Sequence, residues 1–321
     1  MESKVEIIKS PLNYTGNKYR IIPQIREYFP KKINVMVDMF CGGATVGLNI
    51  PCNKVYFVDN NKRVIGLLKF LATEEINEML ENIDKLIEKY GLSNSHKYGY
   101  KKYREQCNNK SDNNGLKDYN KDAYYKLRND YNELKDKNSK KANLMLYVLM
   151  VYAFNNDIRF NASGDFNLPI GKTDFNKMNY EKLLAYSERI KNITAEFICA
   201  EFDSEIVKEI TKEADFVYMD PPYLVGDAVY NISWTNESEY KLLDYIDYIR
   251  ENNINFALSN VLEKVGRKNE PLSYWCYKNE TDIVIHDIDY HYRSASYNKI
   301  NRNAKEREIL IVNKKVKNED K

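Results

Sequence analysis

The sequence predicts an α/β protein: a mainly parallel sheet whose strand–helix alternation is interrupted by a helical insert. Three short apolar runs carry the first part of that expectation, namely INVMVDMF (33–40), NKVYFVD (53–59) and ADFVYMD (214–220). Each ends at or beside an acid and is followed by turn or helix signals. Strands buried on both faces of a parallel sheet read as continuous apolar runs rather than as alternating ones. Further strands are expected within 193–203 and 253–260, and 281–292 with 307–313 are expected to form a hairpin on the sheet edge.

The middle of the chain carries the second part. From about Val64 to Tyr90 apolar residues recur with helical spacing, at Leu67, Phe70, Leu71, Ile76, Leu80, Ile83 and Ile87. Residues 108–120 are rich in Asn, Asp, Lys and Gly and read as a loop, while 121–135 and 141–154 read as helix. A helical block between the second and third apolar runs suggests an inserted subdomain, and the Lys/Asn-rich tail after Lys314 reads as frayed.

Composition narrows the classes. The chain has 321 residues, 43% of them hydrophobic, so a sizeable core can form. No run of about 18 apolar residues is present, so no membrane span is expected. Residues 1–10 lack the apolar segment of a signal peptide. The five cysteines, at 41, 52, 107, 199 and 276, are scattered and form no CxxC pair. That favours a reducing cytoplasm over a disulfide framework. With three histidines and no Cys/His cluster, no metal site is expected. The net charge is +2, but residues 97–141 hold 13 Lys/Arg against 7 Asp/Glu, leaving 36 against 40 elsewhere. A basic segment in a near-neutral protein suggests a polyanion partner, the alternative being a solvated helical surface.

The sharpest motif is Asp220-Pro221-Pro222-Tyr223, directly after FVYM. Ligands of open α/β sheets sit beyond the carboxyl ends of the strands. The prolines can continue neither strand nor helix, so they hold a stiff extended loop with free carbonyls. A carboxylate, a carbonyl and an aromatic ring then fall within four residues. That set suits a planar base bearing an amino group: Asp220 and the Pro221 carbonyl each accept one N–H, and Tyr223 stacks on the ring. The alternative is a plain Pro-rich turn. The second motif, Asp38-Met39-Phe40-Cys41-Gly42-Gly43-Ala44-Thr45-Val46-Gly47, follows the first apolar run. Its glycines allow a tight turn and close ligand approach. It is not GxGxxG, and the shorter form fits a ligand without a pyrophosphate, such as S-adenosylmethionine; the alternative is a strand–helix turn that needs glycine only for packing. Asp59, in FVDNN, is placed to accept from ribose hydroxyls, or to cap the following helix.

These residues carry a resemblance. YTGNKYRIIPQI (14–25), DMFCGGATVGLN (38–49), FNNDIRFNASGDFNLPIGK (154–172), DFVYMDPPYL (215–224), SNVLE (259–263) and REILIVN (307–313) resemble, in this order, the motifs of Dam-type DNA adenine-N6 methyltransferases of the α-group. Among these the chain is most similar to the T-even phage branch. The resemblance implies a Rossmann-like S-adenosylmethionine-dependent methyltransferase sheet with an inserted, mainly helical target-recognition domain. It places a discontinuous catalytic domain at 1–62 and 179–321, the recognition domain at 63–178, and a DNA-reading hairpin at 154–172. The implied activity is methyl transfer from S-adenosylmethionine to N6 of an adenine flipped out of a short double-stranded DNA site, GATC or another short palindrome.

The resemblance also implies roles. Tyr14, Lys18, Asp38, Phe40, Gly42, Gly43, Asp59 and Asn60 hold the cofactor, Asp220 lies between cofactor and adenine, and Pro221, Pro222 and Tyr223 complete the catalytic loop. Asn13, Ile158, Arg159, Asn161 and Pro169 face DNA, with Arg159 on a guanine edge, Ile158 wedged into the base stack and Pro169 packed on the duplex. Asn13 departs from the lysine that some cellular members carry there. Without the resemblance, Arg159 reads as a surface arginine, Asn155, Asn156 and Asn161 as turn residues, and the tyrosines at 98, 100, 103, 124 and 125 as helix packing. A companion restriction endonuclease and a monomer or weak dimer on DNA are left open. Competing functions are a nicotinamide-dependent oxidoreductase, against which the missing GxGxxG argues, a DNA-binding protein without methyltransferase activity, and methylation of RNA or of cytosine N4.

Overall fold

The computed structural model describes residues 7–14, 16–107, 113–226, 234–288 and 306–314. The chain divides into two compact units, Met1–Asn17 with Asn61–Asn192, and Lys18–Asn60 with Ile193–Lys321.

The second unit holds the sheet. Among the described residues its strands are β1 (Val35–Met39), β2 (Lys54–Asp59), β3 (Thr194–Cys199), β4 (Phe216–Met219), β5 (Asn255–Lys264), β6 (Arg267–Lys268), β7 (Ile283–Asp287) and β8 (Glu306–Asn313). The order is β3-β2-β1-β4-β5-β8-β7, with the short β6 paired to β5. The five strands from β3 to β5 are parallel. β8 runs antiparallel to both β5 and β7 and lies between them. The expected edge hairpin is therefore present, with its second strand inserted inward; residues 289–292 of the expected strand lie outside the described residues. Strand order reverses between β1 and β4, and at such a switch point the loops leaving the two strands diverge and open a crevice.

Side chains alternate across this sheet. Val37, Met39, Val217, Met219, Phe256 and Leu258 form one buried face. Against it pack α10 (Glu205–Lys212), α11 (Asn236–Glu251) and α12 (Glu270–Lys278). On the other face, the ring of Phe29, just beyond α1 (Ile22–Arg26), lies 4.7 Å from that of Phe216 and 5.7 Å from that of Tyr218. There α2 (Thr45–Asn49) meets the sheet at Gly47, whose missing Cβ would lie 2.5 Å from Phe57 Cε1.

The first unit is mainly helical. The amphipathic stretch expected over 64–90 is two helices, α3 (Lys62–Thr73) and α4 (Ile76–Tyr90). Glu74 is extended (ψ 145°), and the Glu75 side chain accepts the Glu78 N–H to start α4. After the short α5 (Ser95–Tyr98) and α6 (Tyr100–Arg104) come α7 (Lys117–Asn132), α8 (Lys140–Tyr152) and α9 (Lys177–Lys191). α8 is apolar all round and buried from Met145 onward. The unit's bounds differ from the expected 63–178. Residues 179–192 belong to it because α9 packs on α3 and α4, and the Tyr186 hydroxyl donates to the Leu68 carbonyl at 2.9 Å. The residues before Lys18 group with it as well, Asn13 Oδ1 accepting the ammonium of Lys182 at 2.5 Å. No helix of the described residues is long and apolar enough to cross a membrane.

Candidate active site

The loops leaving β1 and β4 flank the switch point, and both carry the residues singled out in the sequence. After β1, Phe40 (φ 57°), Gly42 (φ 47°) and Ala44 (φ 62°) all adopt left-handed backbone. For Phe and Ala that conformation costs on the order of 1 kcal/mol or more and persists only where the surroundings enforce it. Here the Cys41 N–H donates to the Val58 carbonyl (2.9 Å) and the Gly42 N–H to Asp59 Oδ2 (3.0 Å), tying the loop to the end of β2. Asp59 does not cap the next helix; Asn61 does, accepting from Arg63 and Val64. Asn60 is exposed and donates to Glu201 at 3.2 Å.

Asp38 lies inside this framework rather than on its surface. It is buried, and its Oδ2 accepts the Gly47 N–H at 2.8 Å. Burial pushes its carboxyl up to about 8; the Gly47 N–H opposes this, while the nearby Asp220 and Asp59 carboxylates add to it. Gly42 and Gly43 are buried too. On the other side of the loop the Phe40 ring lies 5.3 Å from that of Phe202 and 5.8 Å, edge to face, from that of Trp234. The Trp234 indole N–H donates to the buried Glu239 at 2.6 Å, and Asn269 donates to the same carboxylate at 2.7 Å.

After β4, Asp220 stands at the mouth of the site. Its Oδ2 pairs with the ammonium of Lys18 at 2.7 Å, and its Oδ1 accepts the Tyr223 hydroxyl at 3.0 Å. Lys18 is buried, follows directly on a turn closed by the Asn17 N–H on the Tyr14 carbonyl, and lies 5.3 Å from the centre of the Tyr223 ring. Pro221 is buried and Pro222 half-buried, and the Gly226 N–H closes a turn on the Tyr223 carbonyl. A fourth member comes from β8. Glu308, also buried, has its Oε1 at 3.3 Å from the Tyr223 hydroxyl and 3.9 Å from Lys18 Nζ. Burial and then the Asp220 carboxylate push the phenol of Tyr218, on β4, well above its ordinary range.

In the helical unit, 154–172 is a hairpin held by two antiparallel bridges, Ala153–Ile170 and Phe160–Phe166. Its first corner has Asn155 (φ 58°) and Asn156 (φ 53°) in the left-handed region, which asparagine tolerates best after glycine. Asn161 builds the far turn, its Oδ1 accepting the N–H of Ser163 (3.0 Å) and of Asp165 (2.9 Å). Arg159 is exposed, and its Nε donates to Asn167 Oδ1 at 2.8 Å. Ile158 is half-buried and Pro169 exposed. The hairpin is pinned to α7: the Asn132 amide brackets the backbone of Phe166 (2.9 and 3.1 Å), and Tyr124 donates to the Leu168 carbonyl at 2.9 Å. Tyr98 and Tyr100 are exposed, whereas Tyr103 and Tyr124 are packed inside.

A family profile described as D12 class N6 adenine-specific DNA methyltransferase matches residues 14–293. The chain belongs to this family. Curated relatives agree. The modification methylase StsI of Streptococcus sanguinis is 33% identical over 325 residues, 99% of this chain and 44% of that protein. The type II methyltransferase M.FokI of Planomicrobium okeanokoites is 33% identical over 314 residues, covering 95% and 43%. The DNA adenine methylase of Escherichia coli (strain K12) is 24% identical over 255 residues, covering 78% and 79%. The chain thus spans less than half the length of the first two.

In this member of the D12 class the sequence reading assigned no role to three contributors. Glu308 is a single acid in an apolar strand, and only the fold brings it to Asp220. Phe202 and Trp234 join Phe40 from two other segments. The one legible hint was that Glu308 opens the run Ile309–Val312, where an acid has no reason to be buried unless something holds it there.

Proposed function

We propose that the chain transfers a methyl group from S-adenosylmethionine to N6 of an adenine flipped out of a short double-stranded DNA site. The observation that carries this is Asp220, placed beside the switch point on a loop stiffened by two prolines and held by Lys18 and Tyr223.

The donor set fits the cofactor. Asp59 ends β2 with its carboxylate on the Gly42 N–H, where a carboxylate, with about four lone-pair sites, is placed to accept from ribose hydroxyls. The Phe40, Phe202 and Trp234 rings offer apolar faces for a purine, and the left-handed Gly loop lets backbone approach closely. When bound, the cofactor supplies an electrophilic methyl group. The chain's own residues do the rest. Asp220 and the Pro221 carbonyl accept the two N6–H groups and favour a pyramidal nitrogen with its lone pair aimed at the methyl carbon, an interaction that strengthens toward the transition state. Tyr223 stacks on the flipped base, and flipping is required because N6 is inaccessible inside a stacked pair. Tyr14, Lys18, Asp38, Gly42, Gly43 and Asn60 bind or brace the cofactor, Asp38 acting from beneath through Gly47.

The basic helical unit serves as the recognition element. Its hairpin enters the major groove, Arg159 reads a guanine, Ile158 wedges into the stack, and Pro169 and Asn161 line the approach. At Asn13, where some members carry a base-contacting lysine, the side chain instead holds Lys182. We place the chain in the Dam-type α-group on the order of its motifs. The likeness to the T-even phage branch rests on those motifs alone, since the relatives described above are a modification methylase, a type II methyltransferase and a bacterial DNA adenine methylase. The modification methylase among them suggests a companion restriction endonuclease here too, with the chain acting as a monomer or weak dimer on a GATC-like or other short site in the cytoplasm.

The test is Asp220→Ala, assayed by transfer of labelled methyl groups to adenine-containing duplexes. Losing such a contact to developing charge costs about 10²–10³ in rate. A folded Asp220→Ala protein that transfers methyl groups at the wild-type rate refutes the assignment.

A further inference from the structure

Both oxygens of Asp220 are already engaged within the protein, Oδ1 by the Tyr223 hydroxyl at 3.0 Å and Oδ2 by the Lys18 ammonium at 2.7 Å. A base amino group that donates to Asp220 competes with these donors. A donor displaced in a buried site is left with an unsatisfied polar group unless a second acceptor stands within reach. Glu308 offers such an acceptor to both. Its Oε1 lies 3.3 Å from the Tyr223 hydroxyl and 3.9 Å from Lys18 Nζ, so each needs to move by less than its own bond length to change partner. Glu308 itself has little room to move. It is 5% exposed. Its carbonyl accepts the Ile288 N–H at 2.9 Å, and it pairs with Val261 immediately beside the register shift in β5. Bulges of this kind re-aim side chains next to active sites. An acid at the head of the buried run Ile309–Val312 is costly to keep, and charge balance alone does not require it, because Asp220 already pairs Lys18 at the shorter distance.

We propose that Glu308 is a positioning residue that takes over the Tyr223 hydroxyl and the Lys18 ammonium as Asp220 engages the target amino group. The inference rests on the methyl-transfer reading above. It assigns no bond-making role to Glu308: one hydroxyl proton and one ammonium change hydrogen-bond partner, and net charge is unchanged. Without Glu308 the ammonium and the hydroxyl stay on Asp220 and hold it away from the base.

The experiment compares Glu308→Gln, Glu308→Asp, Tyr223→Phe and the double variant Glu308→Gln/Tyr223→Phe. Three quantities are read: single-turnover methyl transfer, dissociation constants for S-adenosylmethionine and for duplex DNA, and thermal unfolding. Glu308→Gln should slow single-turnover transfer about ten- to hundredfold, with both dissociation constants within about threefold of wild type. Glu308→Asp keeps the charge beside Lys18, so it should unfold near the wild-type temperature, yet its shorter reach should still slow the reaction. In the Tyr223→Phe background, where no hydroxyl needs a second acceptor, Glu308→Gln should cost clearly less than in wild type. A purely structural Glu308 gives the opposite pattern: lowered unfolding temperature, wild-type turnover per folded molecule, and rate effects that multiply. That pattern overturns the inference while leaving the methyl-transfer reading intact. Wild-type protein that fails to methylate adenine in DNA sinks both.

Discussion

Gly47→Ala puts the packing beneath the site to a quantitative test. Two effects oppose each other. Gly47 is helical, so alanine should gain up to about 1 kcal/mol in helix propensity. Against this, the added Cβ would lie 2.5 Å from Phe57 Cε1 and 3.0 Å from both Asp38 Oδ2 and Val55 Cγ1. Carbon atoms pack at about 3.5–4.0 Å, so the Phe57 ring must retreat by about 1 Å. It has nowhere to go: Phe57 is fully buried on β2 and stacked on Phe197 at 5.2 Å. Overpacking a close-packed interior costs about 1–3 kcal/mol, and a shift of α2 also strains the Gly47–Asp38 hydrogen bond. Sterics win, and the expected net loss is about 1–2 kcal/mol of unfolding free energy by urea denaturation. The Gly loop moves with α2, so S-adenosylmethionine should bind roughly tenfold more weakly by calorimetry, the equivalent of about 1.4 kcal/mol. Phe57→Leu in the same background removes the clashing atom and should recover part of the loss. If Gly47→Ala proves as stable as wild type or more so, Gly47 is not there for close packing and the account of Asp38 falls with it.

Three further outcomes follow from the geometry. The Asp38 carboxyl, raised to about 8, holds a proton in the folded state that the unfolded chain releases near 4. The Asp38 contribution to stability should therefore be full below about pH 4 and decline as pH rises through about 8, by at most about 1.4 kcal/mol per unit. Asp38→Asn should flatten that decline in denaturation series run from pH 5 to pH 9, and identical slopes would show that Asp38 is ionised when folded. Arg159→Ala should cost about 1–3 kcal/mol of discrimination at one base pair, read by methylation of single-substitution duplexes; an unchanged preference at every position makes Arg159 a surface residue only. Asn132→Ala removes both bonds that bracket Phe166, so it should weaken duplex binding by loosening the hairpin without altering cofactor affinity, and unaltered DNA binding would count against the hairpin as a DNA reader.

Much of the fold is legible in the sequence because parallel strands buried on both faces leave uninterrupted apolar runs. β1, β2 and β4 lie within the three runs that predicted them, and β7 and β8 pair as expected. The break between α3 and α4 is not legible, since neither Pro nor Gly marks it and a glutamate side chain makes the new cap. Nor is the boundary at Asn192, which follows from what α9 packs against rather than from its composition. In the site, the Asp220 loop and the Gly loop are readable as local motifs. The left-handed backbone of Phe40 and Ala44 is not, because neither residue type favours it. Asp38 carried a motif position but not its burial, and Glu308, inside the run REILIVN, carried no assigned role: its meaning lies in a neighbour 85 positions away.

That separation has a consequence for how the protein is made. Synthesis runs from the N-terminus, so Lys18 and the loop after β4 leave the ribosome well before β8 does. Until β8 slots between β5 and β7, the outer edge of β5 lacks its ladder and the Asp220 cluster lacks Glu308. Pairings this distant in sequence form late and slowly. A nascent chain therefore passes through an interval in which the Gly loop can already be folded while the Asp220 cluster is incomplete, and that cluster closes with a single late strand rather than by degrees.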